Sequence, residues 1–137
     1  MDEPRTHHPD PRSELLASLE HAHERIERRL EELARAVDGV KHPSRARRRD
    51  LLRRVDHDLR TQHRIEERLL YPRLDGRTPE VRQALDEHRH TTRLLDELAE
   101  LDPTTAVWER RTWNLIWTVE THHVREEDDV FALARPD

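Results

Sequence analysis

His63 and Glu67 lie four residues apart, and His123 and Glu127 repeat that spacing. On a helix such a pair projects from one face, about one turn apart, within reach of a common ion. The surroundings repeat as well. His63-Arg-Ile-Glu66-Glu67-Arg-Leu-Leu70-Tyr71 aligns with His123-Val-Arg-Glu126-Glu127-Asp-Asp-Val130-Phe131, giving the pattern H-x-x-E-E-x-x-(L/V)-(Y/F). Two more histidines, His23 and His88, interrupt other apolar stripes. His23, Ile26, Leu30 and Leu33 match His88, Thr91, Leu95 and Leu98 in spacing.

Four imidazoles and two carboxylates on apolar faces need a partner. A buried carboxylate costs several kcal/mol unless it is paired or bound to metal. No lysine lies on these faces; the chain's single lysine, Lys41, falls in a connection. There are no cysteines, so thiolate sites, disulfides and thiol nucleophiles are excluded. Six ligands exceed the four of a tetrahedral zinc and suit two ions bridged by carboxylates. On two six-coordinate ions, the imidazoles, two bridging carboxylates and a solvent bridge leave two positions open for a small ligand. Nitrogen and oxygen ligation without sulfur favours iron or manganese, although zinc and copper also accept imidazole.

The elements that must hold these residues read as helices. The chain has 137 residues, 40% of them charged and 33% hydrophobic, with a mean hydropathy of -1.11 and two glycines. That is room for one domain with a thin core, and too little glycine for a turn-rich β fold. Residues 1–12, with prolines at 4, 9 and 11, are expected to form a flexible tail. The domain proper spans 13–137. Helix one follows Ser13 and carries Leu15/Leu16, Leu19, Ile26, Leu30, Leu33 and Val37, ending at Gly39. Helix two runs from Ser44 to Tyr71, where Pro72 stops it. Helix three is capped by Thr78 before Pro79; helix four starts around 102–104, with Pro103 in its first turn, and reaches about Ala134. Short connections between long helices force antiparallel neighbours. The expected fold is therefore all-α, an up-down-up-down antiparallel four-helix bundle.

The H-x-x-E-E-x-x-L-Y-P string at 63–72, its echo at 123–131, and one stripe histidine in each of the other two helices resemble a hemerythrin-like (HHE cation-binding) domain of the bacterial type. The resemblance covers about residues 14–134. It implies a four-helix bundle holding two iron ions as a non-haem diiron centre, with manganese or zinc as substitutes. It also implies His23, His63, Glu67, His88, His123 and Glu127 as ligands, with Glu67 and Glu127 as bridges. Position 92 is Thr92, where invertebrate oxygen carriers of this kind have a histidine. Asp128 competes with Glu127, and His122 with His123, for the helix-four places; the repeat favours Glu127 and His123, because Gln62 stands opposite His122.

Other residues have plainer readings. Glu66 and Glu126 are expected at the solvated surface, the alternative being partners behind the ligands. His7, His8, His21, His42, His57 and His90 are expected at the surface too, with a proton relay or a place behind the ligands as the alternative for His90. Tyr71 is expected to pack at the bundle end, the alternative being a phenol near the metals. Trp108, Trp113 and Trp117 fit packing or a homodimer surface. Arg45, Arg47, Arg48, Arg49, Arg53 and Arg54 are expected to pair with acids such as Glu31, Glu32 and Asp128. Net charge is -5, and nucleic acid is not expected as a partner. No apolar run is long enough for a membrane span, and no apolar leader opens the sequence, so a cytoplasmic location is expected. The function expected from these residues is binding or sensing of a small gaseous or peroxide ligand (dioxygen, nitric oxide, peroxide). The alternatives are an enzyme acting on peroxide, ferrous iron or oxygen, and a metal-stabilised interaction module.

Overall fold

The computed structural model describes residues 10–39, 43–75 and 78–135. Four long helices carry the chain: α1 (Pro11–Asp38), α2 (Arg45–Ile65), α3 (Pro79–Ala99) and α4 (Ala106–Arg125). A short α5 (Phe131–Ala134) ends the described chain, and no strand occurs among the described residues. The helices form an up-down-up-down bundle. α1 packs against α2 and α4, α3 packs against α4, and α2 meets α3 along a looser seam.

The helix starts follow capping chemistry. Asp10 accepts from the Arg12 amide, so α1 begins at Pro11, ahead of the expected Ser13 cap. Of the expected tail, residues 1–9 lie outside the described residues, and Pro11 and Arg12 belong to α1. Ser44 caps α2 as expected. Thr78 precedes α3, but its side chain accepts no hydrogen bond from the helix; its hydroxyl donates to the Asp75 carbonyl instead. Thr105 caps α4 by accepting from the Trp108 amide, which places Pro103 before the helix and not in its first turn.

Neither α2 nor α4 ends simply. Each runs into one wide π-helical turn, Glu66–Leu70 and Glu126–Val130. The Tyr71 amide reaches back five residues to the Glu66 carbonyl, and the Phe131 amide does the same to Glu126. Single π-turns inside α-helices concentrate at functional sites. Here the sequence repeat is also a repeat of backbone irregularity.

Burial divides the bundle into three layers. The larger apolar core holds Ile26, Leu30, Leu33, Val55, Leu59, Leu95 and their neighbours, closed by Trp108. The smaller one, beyond the π-turns, is built from Leu16, Leu19, Leu70, Tyr71, Val81 and Phe131. Between them lies a polar layer of His23, His63, Glu66, His88, His122, His123 and Glu126, all buried. The basic start of α2 pairs locally: Arg45 with Asp102, Arg47 and Arg54 with Asp50, and buried Arg48 with the Pro103 carbonyl and Glu109. The expected partners Glu31, Glu32 and Asp128 are not used, because the N-terminus of α2 faces the turn before α4. Arg48 also lies 5.5 Å from the Trp108 ring centroid.

Leu30 has no exposed surface. Leu30→Ala is expected to destabilise the bundle by about 2–5 kcal/mol, measured by urea unfolding; Trp117→Ala, at 66% exposure, should leave the midpoint nearly unchanged.

Candidate metal centre

The two innermost side chains of the polar layer are Glu66 and Glu126, at 0% and 1% exposure. This corrects the expectation that both are solvated and that Glu67 and Glu127 point inward: the side chains of Glu67 and Glu127 are 44% and 39% exposed. Helix geometry explains the reversal. Counting about 100° per residue from Val55, Glu66 returns to about 20°, in the middle of the α2 face that buries Leu59, while Glu67 lies near 120°. The four-residue step from His63 selects Glu67, but His63 itself lies near about 80°, at the edge of this face, so the pair is displaced together.

Three imidazoles close on this pair. His23 Nε2 lies 3.3 Å from Glu66 and 3.1 Å from Glu126. His88 Nε2 lies 3.1 Å from Glu66 and 3.8 Å from Glu126. His122 Nε2 lies 3.5 Å from Glu126. Ligand atoms of Glu66, His88, His122 and Glu126 all fall within 4.8 Å of one another.

The opposite nitrogen of each ring is held from outside. Glu127 meets His23 Nδ1 at 3.1 Å, Glu67 meets His88 Nδ1 at 3.2 Å, and Glu87 meets His122 Nδ1 at 2.6 Å. Glu87 is itself held by Arg125. An outer carboxylate on Nδ1 fixes the ring and presents Nε2, the arrangement found behind metal-bound histidines. Each Glu-Glu doublet therefore divides its labour. The first glutamate faces the interior, and the second orients a histidine on a neighbouring helix.

The remaining expected ligands stand beside this set. His63 and His123 are buried, but they stack face to face on His88 and His23, with ring centroids 3.8 Å apart in both pairs. Neither presents a nitrogen to Glu66 or Glu126. His122 takes the inward place that the repeat had assigned to His123, because positions 122 and 126 share the inner face. The equivalent position on α2 is Gln62, whose amide donates weakly to Glu66 and to the Leu19 carbonyl. Tyr71 does more than pack: its hydroxyl donates to Glu126 and lies 3.2 Å from His88 Nε2. Phe131, its counterpart, stacks on His23. His21, His57 and His90 are exposed as expected; His7, His8 and His42 lie outside the described residues.

The donor set fits a cation. Glu66 Oε1 and Glu126 Oε1 are buried with no well-aligned hydrogen bond among the described residues; each has an imidazole Nε2 3.1 Å away, that of His88 and of His23 respectively, and His122 Nε2 is likewise enclosed without an aligned partner. No lysine or arginine among the described residues pairs with either glutamate. Left to itself the layer holds protons. Burial opposes the charged form of His23 and His88, but hydrogen bonds to Glu126 and Glu66 outweigh it and raise both to about 10. The same balance, with Glu126 and Glu87 as partners, raises His122 to about 9. Burial and the charge of Glu126 push the Glu66 carboxyl up. Burial also opposes the Glu126 carboxylate, yet Glu66 and the three histidines hold it well below the usual range. Burial and the charge of His88 push His63 down to about 2. A cation entering this layer would displace protons.

The fold and this layer define a class: a four-helix bundle with a carboxylate–histidine metal site between its helices. Residues 14–134 match the family model described as Hemerythrin HHE cation binding domain, and the chain belongs to that family. No curated protein and no solved structure matches it. Among the described residues no helix is long and apolar enough to cross a membrane.

The raised histidines set a pH dependence for the metal-free protein. His23, His88 and His122 favour the folded state fully below their unfolded value near 6.5, and that contribution is lost as pH rises through about 9 to 10. The urea midpoint of metal-free protein should therefore fall between pH 6.5 and 10.

Proposed function

We propose that the chain holds a pair of iron ions bridged by Glu66 and Glu126 and binds a small oxygen or nitrogen species there. The observation that supports this most directly is the pair of fully buried carboxylates ringed by three Nε2 atoms, with no lysine or arginine among the described residues paired to them. Sulfur-free nitrogen and oxygen ligation suits iron, with manganese or zinc as substitutes. His23, His88 and His122 are the imidazole ligands, and Tyr71 supplies a phenol at the edge of the site. Iron here would supply reversible ligand binding or electron exchange with dioxygen, nitric oxide or peroxide. The protein excludes bulk water with its two apolar layers, orients each imidazole from behind, and keeps the Tyr71 proton against Glu126. Burial and the charge of Glu66 raise the Tyr71 phenol above its usual range, so without metal it remains protonated.

A second reading, turnover of peroxide or oxygen, is favoured by one observation. Three imidazoles reach the carboxylate pair, not four, since Gln62 stands where His122 stands on the other side. Fewer nitrogen ligands leave more positions open to a reactant.

Glu66→Ala and Glu126→Ala should each cost at least one ion per chain by elemental analysis, because a bridge serves both. Glu67→Ala should retain both ions with affinity weakened about 10–100-fold, and His21→Ala should bind normally. Equal metal content in Glu66→Ala and the parent protein would overturn the assignment. For the second reading, peroxide consumption by the iron-loaded protein should exceed that of free iron at equal concentration; no excess would reject turnover.

A further inference from the structure

A cleft opens on the seam between α2 and α3, on the outer side of His88 and Glu67. Arg60, Arg64 and Arg68 recur every fourth residue along α2 and its π-turn, and Arg89 and Arg93 repeat that step on α3. All five line one cavity of about 660 Å³ with His63 and Thr92. The chain carries a net charge of -5, so this concentration of arginine reverses its sign locally. The cleft's one carboxylate, Glu67, is engaged with His88. Arg60 is paired with Asp56 and Asp96, and Arg89 with Asp86. Arg64, Arg68 and Arg93 have no ion pair or hydrogen bond among the described residues.

His63 supplies an independent sign of a ligand. It is 6% exposed overall and lines the cleft; its ring nitrogens make no hydrogen bond among the described residues and are not enclosed by protein, so they are free to meet a ligand in the cleft. A neutral imidazole offers one donor and one acceptor, and guanidinium forks match carboxylate and phosphate oxygens. The volume is that of a small-molecule site. No Trp, Tyr or Phe lines it, so the stacking platform of a single-stranded nucleic-acid site is missing.

We propose that this cleft binds a small organic anion, its carboxylate or phosphate oxygens held by Arg64, Arg68 and Arg93 with His63 at their base. The cleft touches the metal centre through His88 and Glu67, but its arginines hold no metal, so anion binding by metal-free protein separates this proposal from the reading of the metal centre.

Calorimetric titration of the full chain with succinate and, separately, glucose 6-phosphate tests it and distinguishes the two oxyanion sources. Saturable one-to-one binding of at least one is expected. Arg64→Gln and Arg93→Gln should each weaken it about tenfold or more, with helical circular dichroism unchanged. Arg110→Gln, an exposed change on α4, should leave affinity as it was. His63→Phe keeps a ring for stacking and removes both nitrogens, and it should also weaken binding. Several results would overturn the proposal: no saturation by either anion at concentrations on the order of 10 mM, equal losses in Arg110→Gln, or unchanged affinity in His63→Phe. So would a single-stranded oligonucleotide that displaces both anions through the same arginines.

Discussion

Two carboxylates buried against each other at the centre of a helical bundle are the constraint around which the rest of this protein is arranged. Each would cost several kcal/mol to remove from water alone, and Glu66 and Glu126 face each other. The bundle answers with three imidazole nitrogens, a phenol hydroxyl and a second ring of carboxylates behind the imidazoles. The apolar layers above and below make the arrangement costly to hydrate, which strengthens every interaction inside it. A chain with so few apolar residues can fold around such a layer because its leucines are concentrated where they count: Leu19, Leu30, Leu33, Leu59, Leu70, Leu95 and Leu98 are almost fully enclosed.

The helices were legible because their signals are local. Apolar spacing, Ser44 before α2 and Pro79 in the first turn of α3 locate helices without knowledge of their neighbours. His23 and His88 were legible for the same reason, since each interrupts a regular stripe. The glutamates were not. Glu66 and Glu67 are adjacent and chemically identical, so only helical phase separates them, and a π-turn changes the phase just beyond. Reading outward from Val55 and Leu59 selects Glu66; stepping four residues on from His63 selects Glu67. The repeat favours His123 over His122 because Gln62 stands opposite His122, and that is the inner position at which the two halves differ. The role of Tyr71 depends on a partner 55 residues away in sequence, which no local pattern contains.

The two glutamate doublets also couple the helices. Glu67 leaves the end of α2 to hold His88 of α3, and Glu127 leaves the end of α4 to hold His23 of α1. Each π-turn therefore supplies an inner group and steadies a ring on another helix, so the position of the inner imidazoles depends on all four helices being docked. The irregular turns lie where that coupling is made, between two regular apolar layers.

The internal symmetry of the bundle is broken twice in one place. One half carries Gln62 and Tyr71, and the other His122 and Phe131. The inner face of one half thus offers an amide and a phenol, and that of the other an imidazole and an apolar ring. A bundle assembled from two look-alike hairpins therefore encloses a polar layer that has a direction, so whatever enters it meets different chemistry on its two sides.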